Sequence, residues 1–391
     1  MVRRLAEAAL RQAFTHYPVV TLTGPRQSGK TTLCKQTFPD HPYANLEFGD
    51  VREFAVEDPR GFLAQFPDGA VLDEIQNAPE LVSYIQGIVD EDGRDGLFVL
   101  TGSQQLAVSE TVSQSLAGRT GLLTLLPLTI AEVDAFGDEP ATDELLHRGF
   151  YPRGYDRDIP APQLLGDYVE TYVERDVRKI IQIRDLTLFR RFVKLCAGRV
   201  GQLVNYQNLA GDAGVSHTTA REWISVLEAT YIVFLLPPLH ANISKRLIKS
   251  PKLYFHDVGL AAHLLGIDAP SQVLAHPLRG PLFENLVMGE LLKHRLNGGR
   301  RGDLHFYRDS TGLEVDAVSA LGADLLGVEA KAGATLASGH LETLRKITEV
   351  LPARFARRVL VNDGDRTYER ESITIAKVRD LADVLRAIDP A

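Results

Sequence analysis

Gly24-Pro25-Arg26-Gln27-Ser28-Gly29-Lys30-Thr31-Thr32 follows the apolar run Pro18–Thr23 and precedes a helix-like stretch that reaches Phe38. The spacing Gly24-x4-Gly29-Lys30-Thr31 is that of a P-loop. Its glycines let successive backbone N–H groups turn toward an anion, Lys30 reaches the β- and γ-phosphates, and the Thr31 hydroxyl coordinates Mg²⁺. The helix that follows aims its positive end at the same anion. Such a loop needs a second carboxylate for its metal. Ala70-Val71-Leu72-Asp73-Glu74 supplies one at the end of a buried strand, with Asp73 placed to hold Mg²⁺ through water and Glu74 to polarise the attacking water. An Asp-Glu pair also suits the first turn of a helix, but its pairing with the loop favours the catalytic role. The next strand, Leu97–Thr101, ends in Gly102-Ser103, so Thr101 or Ser103 could orient the water or sense the γ-phosphate. Arg119 and Arg153 are candidates for transition-state charge, in cis or across a subunit boundary. Each is otherwise an ordinary surface arginine.

A second set of reactive side chains lies near the carboxyl end. Glu284 falls on a helical stretch that continues through Glu290, Asp316 on the alternating strand Leu313–Val318, and Glu329 and Lys331 on Gly327–Lys331. Two residues apart on a strand, Glu329 and Lys331 project from one face. Asp316 and Glu329 could hold Mg²⁺ to generate hydroxide, Lys331 could orient the water, and Glu284 is a further candidate ligand.

Those residues require elements that place them. Strands are expected at Pro18–Thr23, Ala44–Phe48, Ala70–Leu72, Leu97–Thr101 and Leu122–Leu126, with helical patterns between them, notably Pro79–Val89. That alternation predicts a parallel sheet flanked by helices on both faces. Between the two sets, Tyr206–Ala210 and Gly214–Leu227 read as helix, turn at Gly214, N-cap at Ser216 and second helix. The apolar strand Ile232–Leu236 follows, as in a winged helix-turn-helix. In a DNA reader, His217, Thr218 and Arg221 would face the major groove, with Lys245 and Arg246 near phosphates. The same unit can serve instead as a packing or partner-binding module. Trp223 is expected to anchor its core.

The fold class is therefore α/β and multi-domain. Residues 1–140 form a P-loop domain, 141–197 a helical lid or connector, 198–270 a winged-helix-like domain, and 271–391 a C-terminal α/β domain. A chain of 391 residues is long enough for two to four such units. The formal net charge of -8 excludes a protein that coats nucleic acid through overall electrostatics, though not one with a local basic face. Cys34 and Cys196 stand alone, without zinc or disulfide spacing, as suits a reducing compartment. No run is apolar for the ~18 residues a membrane span needs. A cytoplasmic protein is expected.

The set Gly24–Thr32, Val71–Gln76, Leu100–Ser103 and Ala117–Arg119 resembles the AAA-type ATPases of prokaryotes. More closely it resembles the branch whose carboxyl-terminal part is the domain of unknown function 4143. Leu128–Glu132, Gly149–Pro152 and Tyr168–Val177 share that resemblance, which spans nearly the whole chain. It implies ATP and Mg²⁺ as ligands and a homo-oligomer with nucleotide sites shared between subunits. The order Asp316…Glu329-x-Lys331 is similar to the PD-(D/E)xK nuclease superfamily, whose members cut, or only bind, nucleic acid. Two functions remain open at this point. One is an ATPase coupled to binding or processing DNA or RNA. The other is a nucleotide-operated switch that holds a protein partner, its nuclease-like domain inactive.

Overall fold

Five parallel strands make the first sheet: β1 (Val19–Thr23), β2 (Tyr43–Asn45), β3 (Ala70–Asp73), β4 (Phe98–Gly102) and β5 (Thr120–Thr124), in the order β2-β3-β4-β1-β5. In this computed structural model, residues 2–103, 115–137, 139–173, 185–239, 250–350 and 355–389 are described. Strand residues alternate between two cores, because successive side chains point to opposite faces and both faces are covered. Val20, Leu22, Val71 and Val99 pack with Leu10, Leu33 and Cys34 from helices Glu7–Phe14 and Lys30–Thr37. Leu72, Phe98 and Leu100 pack on the other side with Phe62, Leu81 and Ile85, from helices Pro59–Ala64 and Leu81–Asp92. The expected doubly covered parallel sheet is thus present. The second strand is shorter than Ala44–Phe48: the Asn45 side chain accepts from Glu47 N (2.8 Å), turning the backbone out of the ladder before helix Gly49–Glu57.

The chain packs as two compact units. The first comprises Met1–Leu128 with the short segments Ala229–Tyr231 and Arg295–Arg300; the second comprises Thr129–Glu228, Ile232–His294 and Arg301–Ala391.

Within the second unit, helix Tyr206–Ala213 closes on Gly214 in the left-handed region (φ 80°), and helix His217–Ala229 starts with Thr219 N donating to Ser216 Oγ (3.0 Å). Trp223 is buried edge-on between Phe189 and Phe192, as expected of a core anchor. A hairpin follows, β6 (Val233–Leu236) paired antiparallel with β7 (Lys252–Phe255). A six-stranded mixed sheet completes the unit. Its strands are β8 (Leu304–Arg308), β9 (Glu314–Leu321), β10 (Asp324–Lys331), β11 (Phe355–Asn362), β12 (Tyr368–Arg370) and β13 (Ile373–Lys377), in the order β12-β13-β11-β10-β9-β8. β8, β9 and β10 form an antiparallel meander, and helix Glu342–Val350 carries the chain over to β11, parallel to β10.

Candidate functional site

The phosphate loop joins β1 to helix Lys30–Thr37 at the carboxyl edge of the first sheet. Gly24 adopts φ 145°, and a Cβ there would stand 2.1 Å from Leu125 O, so only glycine fits. Gly29 caps the helix at φ 94°. The buried Arg4 guanidinium braces the loop from below, donating to Ser28 O (2.6 Å) and Leu126 O (2.8 Å). Lys30 Nζ bonds the loop's own carbonyls, Gly24 O (2.9 Å) and Pro25 O (2.8 Å). Burial pulls its ammonium down to about 8, against the opposing pull of Glu74 and Asp73.

β4 lies between β1 and β3, so Asp73 and Thr101 meet at neighbouring strand ends facing the loop. Thr31 Oγ1 donates to Asp73 Oδ2 at 2.7 Å, joining the two candidate Mg²⁺ ligands directly. Tyr43 OH also donates to Oδ2 (2.6 Å), and Thr101 Oγ1 donates to Oδ1. Glu74 adopts φ 58°, an uncommon conformation for a residue with a side chain. Its carboxylate accepts from Ser103 Oγ (3.1 Å) and Gln76 Nε2, while its own N–H donates to Thr101 Oγ1 (3.3 Å). Thr101 therefore serves Asp73 and Ser103 serves Glu74. The donor set suits a nucleotide with Mg²⁺: loop N–H groups and an ammonium for phosphate, and a hydroxyl beside a carboxylate for the metal. The Ser28 hydroxyl, buried in the loop, has no hydrogen-bond partner among the described residues, as suits a group kept for a ligand.

Arg119 does not join this group within one chain. It immediately precedes β5, at the opposite edge of the sheet, and forks onto Asp90 at 2.5 and 2.8 Å. Arg153 is exposed on helix Pro152–Asp156 in the second unit. Lys245 and Arg246 lie outside the described residues. His217, Thr218 and Arg221 are exposed along the start of helix His217–Ala229, with the Arg221 guanidinium 5.3 Å from the Tyr206 ring centroid. Sequence reading missed Arg4, Tyr43 and the role of Gln76. Only the closeness of Gln76 to Glu74 gave a signal, because Arg4 and Tyr43 arrive through tertiary packing.

The carboxyl-terminal set does converge. Asp316 on β9 and Glu329 on β10 meet at Lys331: Ala330 N donates to Asp316 Oδ2 (3.0 Å), and Lys331 Nζ lies 3.0 Å from Glu329 Oε2 and 3.9 Å from Asp316 Oδ2. Burial and the Asp316 charge push Glu329 well above the ordinary carboxylate range. Burial works the same way on Asp316, but Glu329, Lys252 and Lys331 outweigh it and hold that carboxyl low. One carboxyl of the pair is thus pushed up while the other is held down, as expected of two carboxylates sharing a buried site. Glu284 sits on helix Arg279–Asn297, which Asn285 fastens to β7 through two bonds with the Phe255 backbone (2.7 and 2.8 Å). That brings Glu284 to a residue sequence reading had not considered. Lys252 Nζ stands 3.0 Å from Glu284 Oε1, 2.6 Å from Glu314 Oε1 and 3.6 Å from Asp316 Oδ1. Lys252 thus stands beside Asp316, one of the two residues expected to hold Mg²⁺, and among the described residues no group of three or more His, Cys, Asp or Glu side chains is arranged to hold a metal. Lys252 gave no signal in sequence, lying far from its partners along the chain.

Strand, loop, helix and the Asp73–Glu74 pair define a P-loop domain of the AAA type, built to bind nucleotide. A model described as an AAA domain matches residues 16–134, a domain of unknown function (DUF8612) matches 139–271, and a domain of unknown function (DUF4143) matches 279–381. The uncharacterized proteins Rv2008c of Mycobacterium tuberculosis and Mb2031c of Mycobacterium bovis are each 30% identical over 384 residues, covering 97% of this chain and 84% of theirs. The chain belongs to this family of AAA-type P-loop proteins with a carboxyl-terminal DUF4143 domain. Among solved structures, the Walker-type ATPase PABY2304 of Pyrococcus abyssi aligns at 13% identity, over 66% of this chain and 94% of that one, with a TM-score of 0.43. No helix among the described residues is long and apolar enough to cross a membrane.

Proposed function

We propose that this protein hydrolyses ATP at residues 24–32 and uses the nucleotide cycle to bind and release nucleic acid. The observation that carries the first half is the paired arrangement of Asp73 against Thr31 and of Glu74 against Ser103. Loop N–H groups and Lys30 bind the phosphates. Thr31 and Asp73 would hold Mg²⁺, which supplies positive charge to the transferring phosphoryl group. Glu74 orients the attacking water and accepts its proton, with Ser103 and Gln76 setting the carboxylate's direction. An arginine such as Arg119 or Arg153 would reach this site from a neighbouring copy in a homo-oligomer.

The second half rests on the exposed His217, Thr218 and Arg221 at the start of a helix that follows a tight turn, with the β6–β7 hairpin behind it as the wing. A local face of this kind would bind DNA or RNA despite the net charge of -8. Steady-state ATP hydrolysis, measured with and without single- and double-stranded DNA and RNA, tests both halves. Glu74→Gln should lower the rate by about 10²-fold or more, as loss of a general base does, while nucleotide binding persists. An unchanged Glu74→Gln rate would sink the proposed chemistry.

A second reading is a nucleotide-operated switch that holds a protein partner, with an inactive nuclease-like domain. The lysine inside the carboxyl-terminal carboxylates favours it. Hydrolysis indifferent to every nucleic acid, together with a defined protein retained by the Glu74→Gln form, would select this reading over the first.

A further inference from the structure

Lys252 is the least expected residue of the second unit. Its side chain is only 4% exposed, yet it carries a full charge at the centre of three carboxylates. A buried cation is tolerated only when it is paired and hydrogen-bonded. Here an ammonium with three donors faces three acidic side chains from two different elements. Burial works against that charge, but Glu284, Asp316 and Glu314 together hold the ammonium well above its ordinary range.

The carboxylates are also committed elsewhere. Tyr254 OH, two residues along the strand from Lys252 and so on the same face, donates to Glu284 Oε1 at 2.5 Å. Arg308 Nη1 lies 3.2 Å from Glu314 Oε2, and Ala330 N donates to Asp316 Oδ2. A hard divalent cation needs about six oxygen ligands at ~2.0–2.1 Å and tolerates no ammonium among them. To admit one, Lys252 would have to abandon three ionic contacts at once.

We propose that the Lys252 ammonium is a built-in cation, standing among Glu284, Glu314 and Asp316 in place of any divalent metal those carboxylates could share. The carboxyl-terminal sheet is then a closed ionic junction that ties the β6–β7 hairpin to helix Arg279–Asn297 and to β9. It binds no metal and cuts no nucleic acid. This holds whatever the first unit does with nucleotide.

The test counts bound Mn²⁺ by electron paramagnetic resonance on the full chain without nucleotide. Four forms are compared: wild type, Asp316→Asn, Lys252→Met, and the double variant. Without nucleotide the P-loop contributes the same background to all four. Wild type and Asp316→Asn should bind equal amounts. Lys252→Met, whose three carboxylates lose the cation they share, should gain one equivalent, and the double variant should lose it again. A wild-type Mn²⁺ that Asp316→Asn removes would overturn the proposal, as would a folded Lys252→Met that gains none. Where Lys252→Met fails to fold, the comparison of wild type with Asp316→Asn and Glu314→Gln decides alone: equal counts support the built-in cation, and a lost equivalent rejects it.

Discussion

Arg4 shows how much of a phosphate loop's geometry is set from outside the loop. Its planar fork satisfies Ser28 O and Leu126 O together, tying the loop to the end of β5. Arg4→Ala should leave those carbonyls unsatisfied at about 1–3 kcal/mol each. Hydrogen exchange should then show faster opening of residues 24–29, with weaker nucleotide binding. Arg4→Lys should recover little, because a point charge cannot span both acceptors; full recovery would show that charge alone matters. The sequence singled out Lys30, Thr31, Asp73, Glu74, Thr101 and Ser103, which are local to their motifs or sit at strand ends. It could not reveal Arg4 or Tyr43, whose roles depend on packing across the sheet. Which end of the sheet Arg119 occupies was also illegible, because a Gly-Arg step reads the same at either edge.

At the scale of elements, Arg279 fastens distant segments of the second unit together. Its guanidinium spans Asp143, at the start of helix Thr142–Arg148, and Asp363, just after β11, at 2.7 and 2.6 Å. With its side chain 17% exposed, Arg279→Ala should cost about 2–4 kcal/mol, mostly by stranding two carboxylates. A lowered unfolding midpoint that Asp143→Asn/Asp363→Asn partly restores would mark that origin. Loss without any restoration would point to packing instead. Strands were the most legible elements, since β1, β3, β4 and β10 all carry apolar runs between turn residues. β2 ran short because the Asn45 turn outweighed a continuing apolar pattern. The parallel pairing of β11 with β10 was beyond reach, because it is made through the crossover helix Glu342–Val350.

For the molecule as a whole, patterning along a contiguous chain cannot register segments that return to an earlier core. Tyr231 is buried, donates to Thr23 Oγ1 at 2.8 Å, and belongs to the first unit along with Arg295–Arg300. A chain ending at Leu128 lacks both segments. It should unfold more easily than the same sheet in the full protein, by about 3–5 kcal/mol for the missing aromatic alone. Equal denaturation midpoints for the sheet in the two contexts would show that the returning segments add nothing. The ionic junction at Lys252 has a different consequence, which concerns time. Glu284 is 32 residues further along the chain than Lys252, and Glu314 and Asp316 follow later still. At ~5–20 residues per second of synthesis, the lysine is polymerised seconds before any of its carboxylates. The hairpin cannot complete its ionic contacts until synthesis has reached Asp316.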